Sequence, residues 1–346
     1  EMLEALCEKK DGRSVFSSFI APPAPVSDAE LERGELLALF RRVDVPFLPS
    51  MVEERVEKEM ARWMASQNTL RHVYSFIEQG GWYSADNFVT WIQQRLDSGS
   101  YKGAPRRFGR ATLAEFYAAT QTEVAFVASD ITGGQILVLN HRTAPDLPVA
   151  MAVRMSMSIP LLWQEVIWKP AWGPYRGKDV AGHAIVDGGL LSNFPVELLV
   201  SRDANVTALM GPEVSKHLLG FLIDETLPVE GVEVAPKQGF SYADLKTVNR
   251  LSNLLNTLLG ARDQAVSEAL ERFVLRLPAG GFSTTEFDMS DARRELLLKA
   301  GREVAEVYLN SAAAQESVSF DGEELDRIPP KVRNAATKGA LRVLGI

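Results

Sequence analysis

The sequence has 346 residues, of which 46% are hydrophobic and 24% are charged, a composition typical of folded globular proteins and not of disordered or fibrous ones. Its 45 acidic residues outnumber 37 basic ones, and the net charge of -8 provides no overall positive field for a phosphate backbone. We therefore expect no nucleic-acid partner. A single cysteine, Cys7, excludes an internal disulfide, and the four histidines are too widely spaced for a zinc motif. No apolar stretch approaches the roughly 18 residues of a membrane span, which favours a soluble or peripheral protein.

The first hundred residues are predicted to form helices and loops almost throughout. Four helix signals occur in order: capping-box spacing at Ser27 with Glu30 and at Ser50 with Glu53, then apolar stripes over residues 70–77 and 88–96. Gly80 and Gly81 are expected to end the third of these helices, because glycine is a poor helix former.

From Thr112 onward the pattern changes to alternating helices and short β-rich runs, which predicts an α/β fold. Residues 123–129 and 135–139 are separated by the turn signal of residues 130–134 and are expected to pair as a hairpin. Further strands are predicted at residues 183–186, 206–210, 218–223 and 273–277, with helical leucine or valine stripes over residues 251–259 and 297–308.

The most specific feature is Asp187-Gly188-Gly189, which follows an apolar strand directly. Such a strand places one carboxylate at its C-terminal end, and the two glycines allow a sharp turn and a close approach to another segment. A buried acid or base would be positioned in this way. On the tripeptide alone, however, a strand-to-helix turn with Asp187 as a local cap is the simpler interpretation.

The surrounding residues change that weighting, because they resemble the patatin-like phospholipases in several blocks. Residues 187–189 resemble the Asp-Gly-Gly/Ala block of the family, and residues 148–160 resemble its helix with an Ala-Val-Arg-x-Ser-x-x-Ile-Pro ending. Residues 112–116 with 127–130 are similar to the preceding helix and strand, and residues 283–290 with 300–302 are similar to the closing segment. These four blocks occur in family order over about 200 residues, which is far more specific than one tripeptide.

The resemblance implies a patatin-like central β-sheet flanked by helices and a lipid acyl hydrolase of the phospholipase A or lysophospholipase type. In that family a serine in a Gly-x-Ser-x-Gly elbow attacks an acyl ester, and the Asp of the Asp-Gly-Gly/Ala block accepts its proton. Asp187 matches that Asp, with Gly188 and Gly189 as its turn. The expected domain covers residues 1–315, as a mainly helical portion of residues 1–100 and a sheet-bearing portion of residues 112–311, and residues 316–346 form a tail with a short basic helix.

The sequence departs from the family in one important respect. It contains neither a Gly-x-Ser-x-Gly elbow nor the glycine-rich oxyanion loop, both of which the family places near its N-terminus. One explanation is that the nucleophilic serine lies upstream of these residues, in a part of the fold that the chain lacks. The other is a catalytically inactive patatin-fold module that binds a lipid or a protein. We favour the first, because Asp187 and both glycines are intact.

Other candidate residues have simple structural interpretations. His183 suggests a Ser-His-Asp triad, but residues four apart on a strand are about 13 Å from each other, too far for a hydrogen bond. Asp130 is most simply a turn former. Arg154 and Ser156 are candidates for an active-site wall, since the resemblance places their block near Asp187, although capping and packing would explain them equally well.

Three tryptophans, Trp163, Trp168 and Trp172, lie within ten residues just ahead of Asp187. They are candidates for a lipid interface, because amphipathic aromatic rings are favourable there, and core packing is the alternative. The expected partner is a phospholipid or another acyl-ester lipid, with peripheral membrane contact. We expect no metal and no organic cofactor, and a cytoplasmic or peripheral membrane location.

Overall fold

A computed structural model of the chain describes residues 9–10, 13–20, 23–25, 27, 30, 34–35, 68–190, 197–200, 203–212, 218–232, 274–282, 286 and 289–311. The helices among these residues are α1 (Asn68–Gln79), α2 (Asp86–Asp97), α3 (Leu113–Thr120), α4 (Val149–Ser156), α5 (Glu197–Val200), α6 (Ala204–Met210) and α7 (Asp291–Leu309). Short 3-10 turns cover Phe16–Ile20, Pro170–Trp172 and Gly188–Leu190.

The strands alternate with these helices and confirm the α/β class. They are β1 (Lys9–Lys10), β2 (Arg13–Ser14), β3 (Gly81–Tyr83), β4 (Ser100–Tyr101), β5 (Ala104–Pro105), β6 (Phe126–Asp130), β7 (Gln135–Leu139), β8 (Leu161–Trp163), β9 (Val166–Ile167), β10 (Ala184–Asp187), β11 (Gly220–Pro228) and β12 (Val274–Gly280).

Local sequence signals account for where several helices begin and end. The apolar stripes of residues 70–77 and 88–96 lie on α1 and α2, as predicted, and α1 ends just before Gly80, whose φ of 72° is left-handed. At the start of α3 the Thr112 hydroxyl accepts a bond from the Glu115 N–H at 3.2 Å. The Glu115 carboxylate accepts one from the Thr112 N–H at 2.9 Å, which completes a capping box.

The first predicted capping box is also present. The Glu30 carboxylate accepts a bond from the Ser27 N–H at 2.8 Å and one from its hydroxyl at 2.6 Å. These hydrogen bonds from Ser27 lower the pKa of Glu30, because they stabilise its ionised form.

The chain divides into two compact units. The first comprises Glu1–Thr122 and Asp146–Asp187, and the second comprises Glu123–Pro145 and Gly188–Ile346. The division falls within the Asp-Gly-Gly block. Asp187 is the last residue of the first unit, and Gly188 is the first residue of the longer segment of the second unit.

Aromatic side chains dominate the core of the first unit. Phe19 packs edge-on against Phe88 with ring centroids 5.4 Å apart, and Phe76 stacks on Trp82 at 4.5 Å. The three-residue strand β3 runs parallel to β8 beside this cluster. Gly81 permits that pairing, because a Cβ atom there would lie 2.1 Å from the main chain of Trp163. Strand β3 was not predicted, since the first hundred residues read as helix and loop, and no strand was predicted at β8.

The second unit contains the expected hairpin and a parallel strand pair. Strands β6 and β7 pair antiparallel from Phe126 with Leu139 to Asp130 with Gln135, which confirms the predicted hairpin. Side chains from β7, α5 and α6 form one buried cluster: Ile136, Val138, Leu198, Val206 and Leu209. Strands β11 and β12 run parallel, and α7 packs against β12. The strands predicted near residues 218–223 and 273–277 and the helix over residues 297–308 are thereby confirmed.

The prediction of a strand at residues 206–210 is wrong, because this segment forms helix α6. Its N-cap is Asp203, whose carboxylate accepts a bond from the Asn205 N–H at 2.8 Å. Val206 and Leu209 are buried at helical spacing. A five-residue apolar run does not distinguish a strand from a buried helix by periodicity, and the Asp203 cap was the missed signal.

Several predictions fall outside the described residues. They include the Ser50 and Glu53 capping box, the leucine stripe of residues 251–259, most of the closing family block at residues 283–290, and the boundary at residue 315 with the basic tail beyond it.

Replacing Thr112 by Ala should lower the free energy of unfolding by about 1 kcal/mol, because it removes the acceptor for an otherwise unpaired N–H of α3. Thr112→Ser keeps the hydroxyl and is the matched control. Urea denaturation followed by circular dichroism measures both variants. Equal stability of Thr112→Ala and Thr112→Ser would show that the cap contributes nothing.

Candidate active site

Asp187 lies at the C-terminal end of β10, where the sequence predicted it. The strand forms because Ile185 and Val186 are apolar and almost fully buried, with 0% and 1% of their surface exposed, whereas Asp187 is half-buried. Pairing of β10 with β9 involves Ala184 and Ile185 and does not reach Asp187. The Asp187 N–H instead donates a 2.9 Å hydrogen bond to the main-chain oxygen of Ser158.

Gly188 follows in a 3-10 turn and lies against β6 of its own unit. A Cβ atom on Gly188 would be 2.5 Å from the carbonyl carbon and oxygen of Val127, closer than any side chain tolerates. The predicted close approach is therefore present, and it requires glycine for reasons of space. Asp187 is a carboxylate at a strand end that is followed at once by a tightly packed turn, a placement suited to a fixed proton acceptor.

Arg154 is buried in the last turn of α4, with 3% of its surface exposed. Its guanidinium donates to the main-chain oxygens of Ser84 at 3.2 Å and Gln164 at 2.7 Å, and to the Ser158 hydroxyl. Burial lowers the pKa of Arg154 to about 10, an effect partly opposed by the negative charge of Asp86. The group thus remains a cation at neutral pH. Ser156, the other predicted wall residue, is half-buried at the end of α4.

His183 precedes β10 in a turn and is half-buried. The main-chain N–H of His183 donates to the main-chain oxygen of Val180 at 3.1 Å. The main-chain oxygen of His183 accepts a bond from the main-chain N–H of Trp168 at 2.9 Å. These main-chain bonds fix the backbone of His183 four residues before Asp187, on the N-terminal side of the strand.

Asp130 has the structure of a turn former, as its sequence context indicated. Its carboxylate is 1% exposed and accepts bonds from the Gly133 N–H at 2.7 Å and from the Gln135 side-chain amide at 3.1 Å. Both bonds lie within the β6–β7 hairpin, so the buried charge is stabilised by the turn that it organises.

The structure corrects the expectation that Trp163, Trp168 and Trp172 form a lipid interface. Their exposed fractions are 3%, 1% and 7%. Trp168 packs edge-on against Trp172 with ring centroids 6.0 Å apart, and its indole N–H donates to the Gly173 oxygen at 2.9 Å. The core-packing alternative explains these side chains, because indoles buried to this extent have almost no surface to present to lipid.

Sequence reasoning did not single out Ser158, which is fully buried and accepts the Asp187 bond. Its hydroxyl donates to the main-chain oxygen of Arg154, four residues earlier. That spacing just past a helix end was the available signal, since a serine hydroxyl can bond to the main-chain oxygen four residues earlier. The contact of Ser158 with Asp187 joins residues 29 positions apart, and no local pattern indicates it.

In the part of the chain that the structure describes, no group of three His, Cys, Asp or Glu side chains is arranged to hold a metal ion. No helix there has the length and apolar character needed to cross a membrane.

Comparison with known proteins gives two findings. The family model described as patatin-like phospholipase matches residues 36–200, a segment that includes Arg154 and the whole Asp-Gly-Gly block. The chain is also 27% identical over 286 residues to the uncharacterized protein YqhO of Bacillus subtilis (strain 168), an alignment that covers 80% of each protein.

Replacing Gly188 by Ala should lower the free energy of unfolding by about 1–3 kcal/mol, because the added methyl group must displace the Val127 carbonyl. Gly301→Ala is the matched control. Gly301 lies within helix α7, and a Cβ atom there would meet the Leu277 side chain at the ordinary contact distance of 3.9 Å. Alanine at this helical position should stabilise by about 0.5–1 kcal/mol. Chemical denaturation measures both, and a neutral Gly188→Ala would contradict the described packing.

Proposed function

Residues 36–200 of this chain belong to the patatin-like phospholipase family, as the resemblance indicated, and from this premise we propose that the protein hydrolyses acyl ester bonds of phospholipids or related lipids. Patatin-like proteins are in general lipid ester hydrolases. The finer assignment, to phospholipase A or lysophospholipase chemistry with a Ser-Asp dyad, is our proposal.

The observation that carries the proposal is the position of Asp187. A strand with a buried apolar interior presents this carboxylate at its end, its main-chain N–H is bonded to Ser158, and the next residue can only be a glycine. The main chain is therefore restrained at the Asp187 N–H and at Gly188, which limits the space that the carboxylate can sample. A general base needs this restriction, because its reach to the reacting hydroxyl is a single hydrogen bond.

In the proposed reaction Asp187 accepts the proton of a serine hydroxyl while the serine oxygen attacks the ester carbonyl. The C–O bond to the leaving alcohol then breaks, and the alcohol departs with the proton that Asp187 held. In the second half a water molecule gives its proton to Asp187 and attacks the acyl-serine. The bond to the serine oxygen then breaks, Asp187 returns the proton to that oxygen, and the fatty acid is released. This sequence of steps needs no metal and no organic cofactor.

The serine itself is not identified among these residues. We propose that it lies in a Gly-x-Ser-x-Gly elbow, as the resemblance implies, and the 346 residues do not contain that pattern. The oxyanion would be stabilised by main-chain N–H groups of a glycine-rich loop from the same upstream part. Contact with a membrane surface follows from the substrate class, since phospholipids are presented in bilayers.

Asp187→Asn should abolish most of the activity of the complete protein without unfolding it. Asparagine keeps the shape and the main-chain bond to Ser158 but cannot accept the serine proton, so kcat should fall by about 10² to 10⁴. The measurement is fatty-acid release from phosphatidylcholine vesicles, with circular dichroism as the check on folding. A folded Asp187→Asn variant with wild-type turnover would remove Asp187 from the chemistry and leave it as a cap.

His183→Ala is the matched variant for the competing triad. In a Ser-Asp dyad this change leaves kcat within a few-fold of the wild type, because the imidazole takes no part in proton transfer. In a Ser-His-Asp triad it is as damaging as the change of Asp187. The same vesicle assay therefore separates the two mechanisms.

The 346 residues expressed alone should show no ester hydrolysis, since they provide the proposed base without a Gly-x-Ser-x-Gly nucleophile. The assay is cleavage of a soluble nitrophenyl ester, with Asp187→Ala as the background control. Turnover above that background would contradict the upstream location of the serine. Vesicle binding without hydrolysis by the complete protein would instead favour the alternative of an inactive lipid-binding module.

A further inference from the structure

Arg154 is a charged residue at a buried position, where an apolar side chain would be the usual one. Only 3% of its surface is exposed, and the described hydrogen-bond acceptors of its guanidinium are all uncharged. Burying a cation among neutral acceptors is costly, and an apolar side chain of similar size would pack at least as well. The guanidinium contributes something that an apolar group cannot: a planar donor that bonds to several segments at once.

Those segments all belong to the first unit. The Arg154 side chain joins the residue that follows β3, Ser84, to the residue that follows β8, Gln164, and to the Ser158 hydroxyl. The Ser158 hydroxyl donates back to the main-chain oxygen of Arg154, so the two residues are linked in both directions. A side chain held by two opposed bonds has little freedom to reorient.

The main chain of Ser158 is bonded directly to Asp187. Its carbonyl oxygen accepts the 2.9 Å bond from the Asp187 N–H, at a point beyond the pairing of β10 with β9, which stops at Ile185. This bond restrains the backbone of Asp187 at the end of its strand. The path runs from the Arg154 guanidinium to the Ser158 side chain, and from the Ser158 carbonyl to Asp187.

We propose that Arg154 and Ser158 are positioning residues for Asp187: the pair fixes the main chain of Ser158, which in turn holds the Asp187 carboxylate in its reactive place. This inference rests on the proposed function, since it requires Asp187 to be the proton acceptor. Neither residue touches substrate in this account. The effect is expected on kcat, because a base displaced by about 1 Å can lose up to about 10² in rate while substrate binding is unchanged.

Ser158→Ala is the first test, and Ser75→Ala is its matched control. Both serines are 0% exposed in the same unit, and both hydroxyls donate to a main-chain oxygen, that of Gly81 in the case of Ser75. The Ser75 hydroxyl also accepts a bond from the Gln164 side chain, but Ser75 has no described bond to Arg154, Ser158 or Asp187. In the complete protein, Ser158→Ala should reduce kcat by about tenfold with KM within twofold, whereas Ser75→Ala should leave both within about twofold of the wild type.

A double-mutant cycle separates positioning from a general loss of structure. If Ser158 acts through Asp187, adding Ser158→Ala to Asp187→Asn should not lower the residual rate further, because the group being positioned is already gone. A structural role predicts the opposite result, a tenfold loss in both backgrounds. Ser158→Thr keeps the hydroxyl and should restore kcat to within about threefold of the wild type.

Arg154→Lys keeps the positive charge but lacks the planar fork of the guanidinium, and it serves if Ser158→Ala does not fold. It should lower kcat in the same way. The inference is overturned if either folded variant keeps wild-type kcat, if Ser75→Ala loses as much as Ser158→Ala, or if the cycle is additive. It is also overturned if neither variant folds, because the pair would then determine folding.

These results distinguish the two proposals. Wild-type turnover in Asp187→Asn defeats the proposed function and leaves nothing for the pair to position. An inactive Asp187→Asn together with a fully active Ser158→Ala defeats the positioning role alone.

Discussion

The bond between the Asp187 N–H and the Ser158 carbonyl is the contact on which the proposed chemistry depends. Strand β10 is short, and its pairing with β9 ends two residues before Asp187. Beyond that pairing, the segment that follows α4 restrains the Asp187 backbone through this 2.9 Å bond. On the other side, the lack of space at Gly188 fixes the direction in which the chain leaves.

The energetics of Arg154 show why a buried cation can persist in this place. Desolvation opposes its charge, and this is the main cause of its lowered pKa. The guanidinium nevertheless remains ionised at neutral pH and donates hydrogen bonds to acceptors on three chain segments. Its contribution is therefore directional restraint more than net stability.

The sequence predicted those features whose causes are local. The position of Asp187 followed from an apolar run that ends in a charge, and the hairpin of β6 and β7 followed from two apolar runs around a glycine-rich turn. Residues 206–210 were misassigned because a five-residue apolar run is compatible with either a strand or a buried helix. The tryptophans were ambiguous for a different reason: an indole is suited both to a core and to an interface, and composition does not give its exposure.

Contacts between distant segments were beyond the reach of local patterns. The parallel pairing of β3 with β8 joins residues about 80 positions apart and depends on the absence of a side chain at Gly81. The link from Arg154 through Ser158 to Asp187 likewise depends on the folded path of the chain. The spacing of Arg154 and Ser158 was visible in the sequence, but what Ser158 contacts was not.

The most direct test of the central claim is the rate at which a fluorophosphonate labels the complete protein, with the modified residue identified by mass spectrometry. This reagent reacts with a serine that an adjacent base has activated. We expect one labelled serine within a Gly-x-Ser-x-Gly sequence, and labelling at least about 10²-fold slower in folded Asp187→Asn, in line with the loss of a general base. Absence of labelling in the wild type, or equal rates in the two proteins, would contradict the assignment of Asp187 as the base of a serine hydrolase.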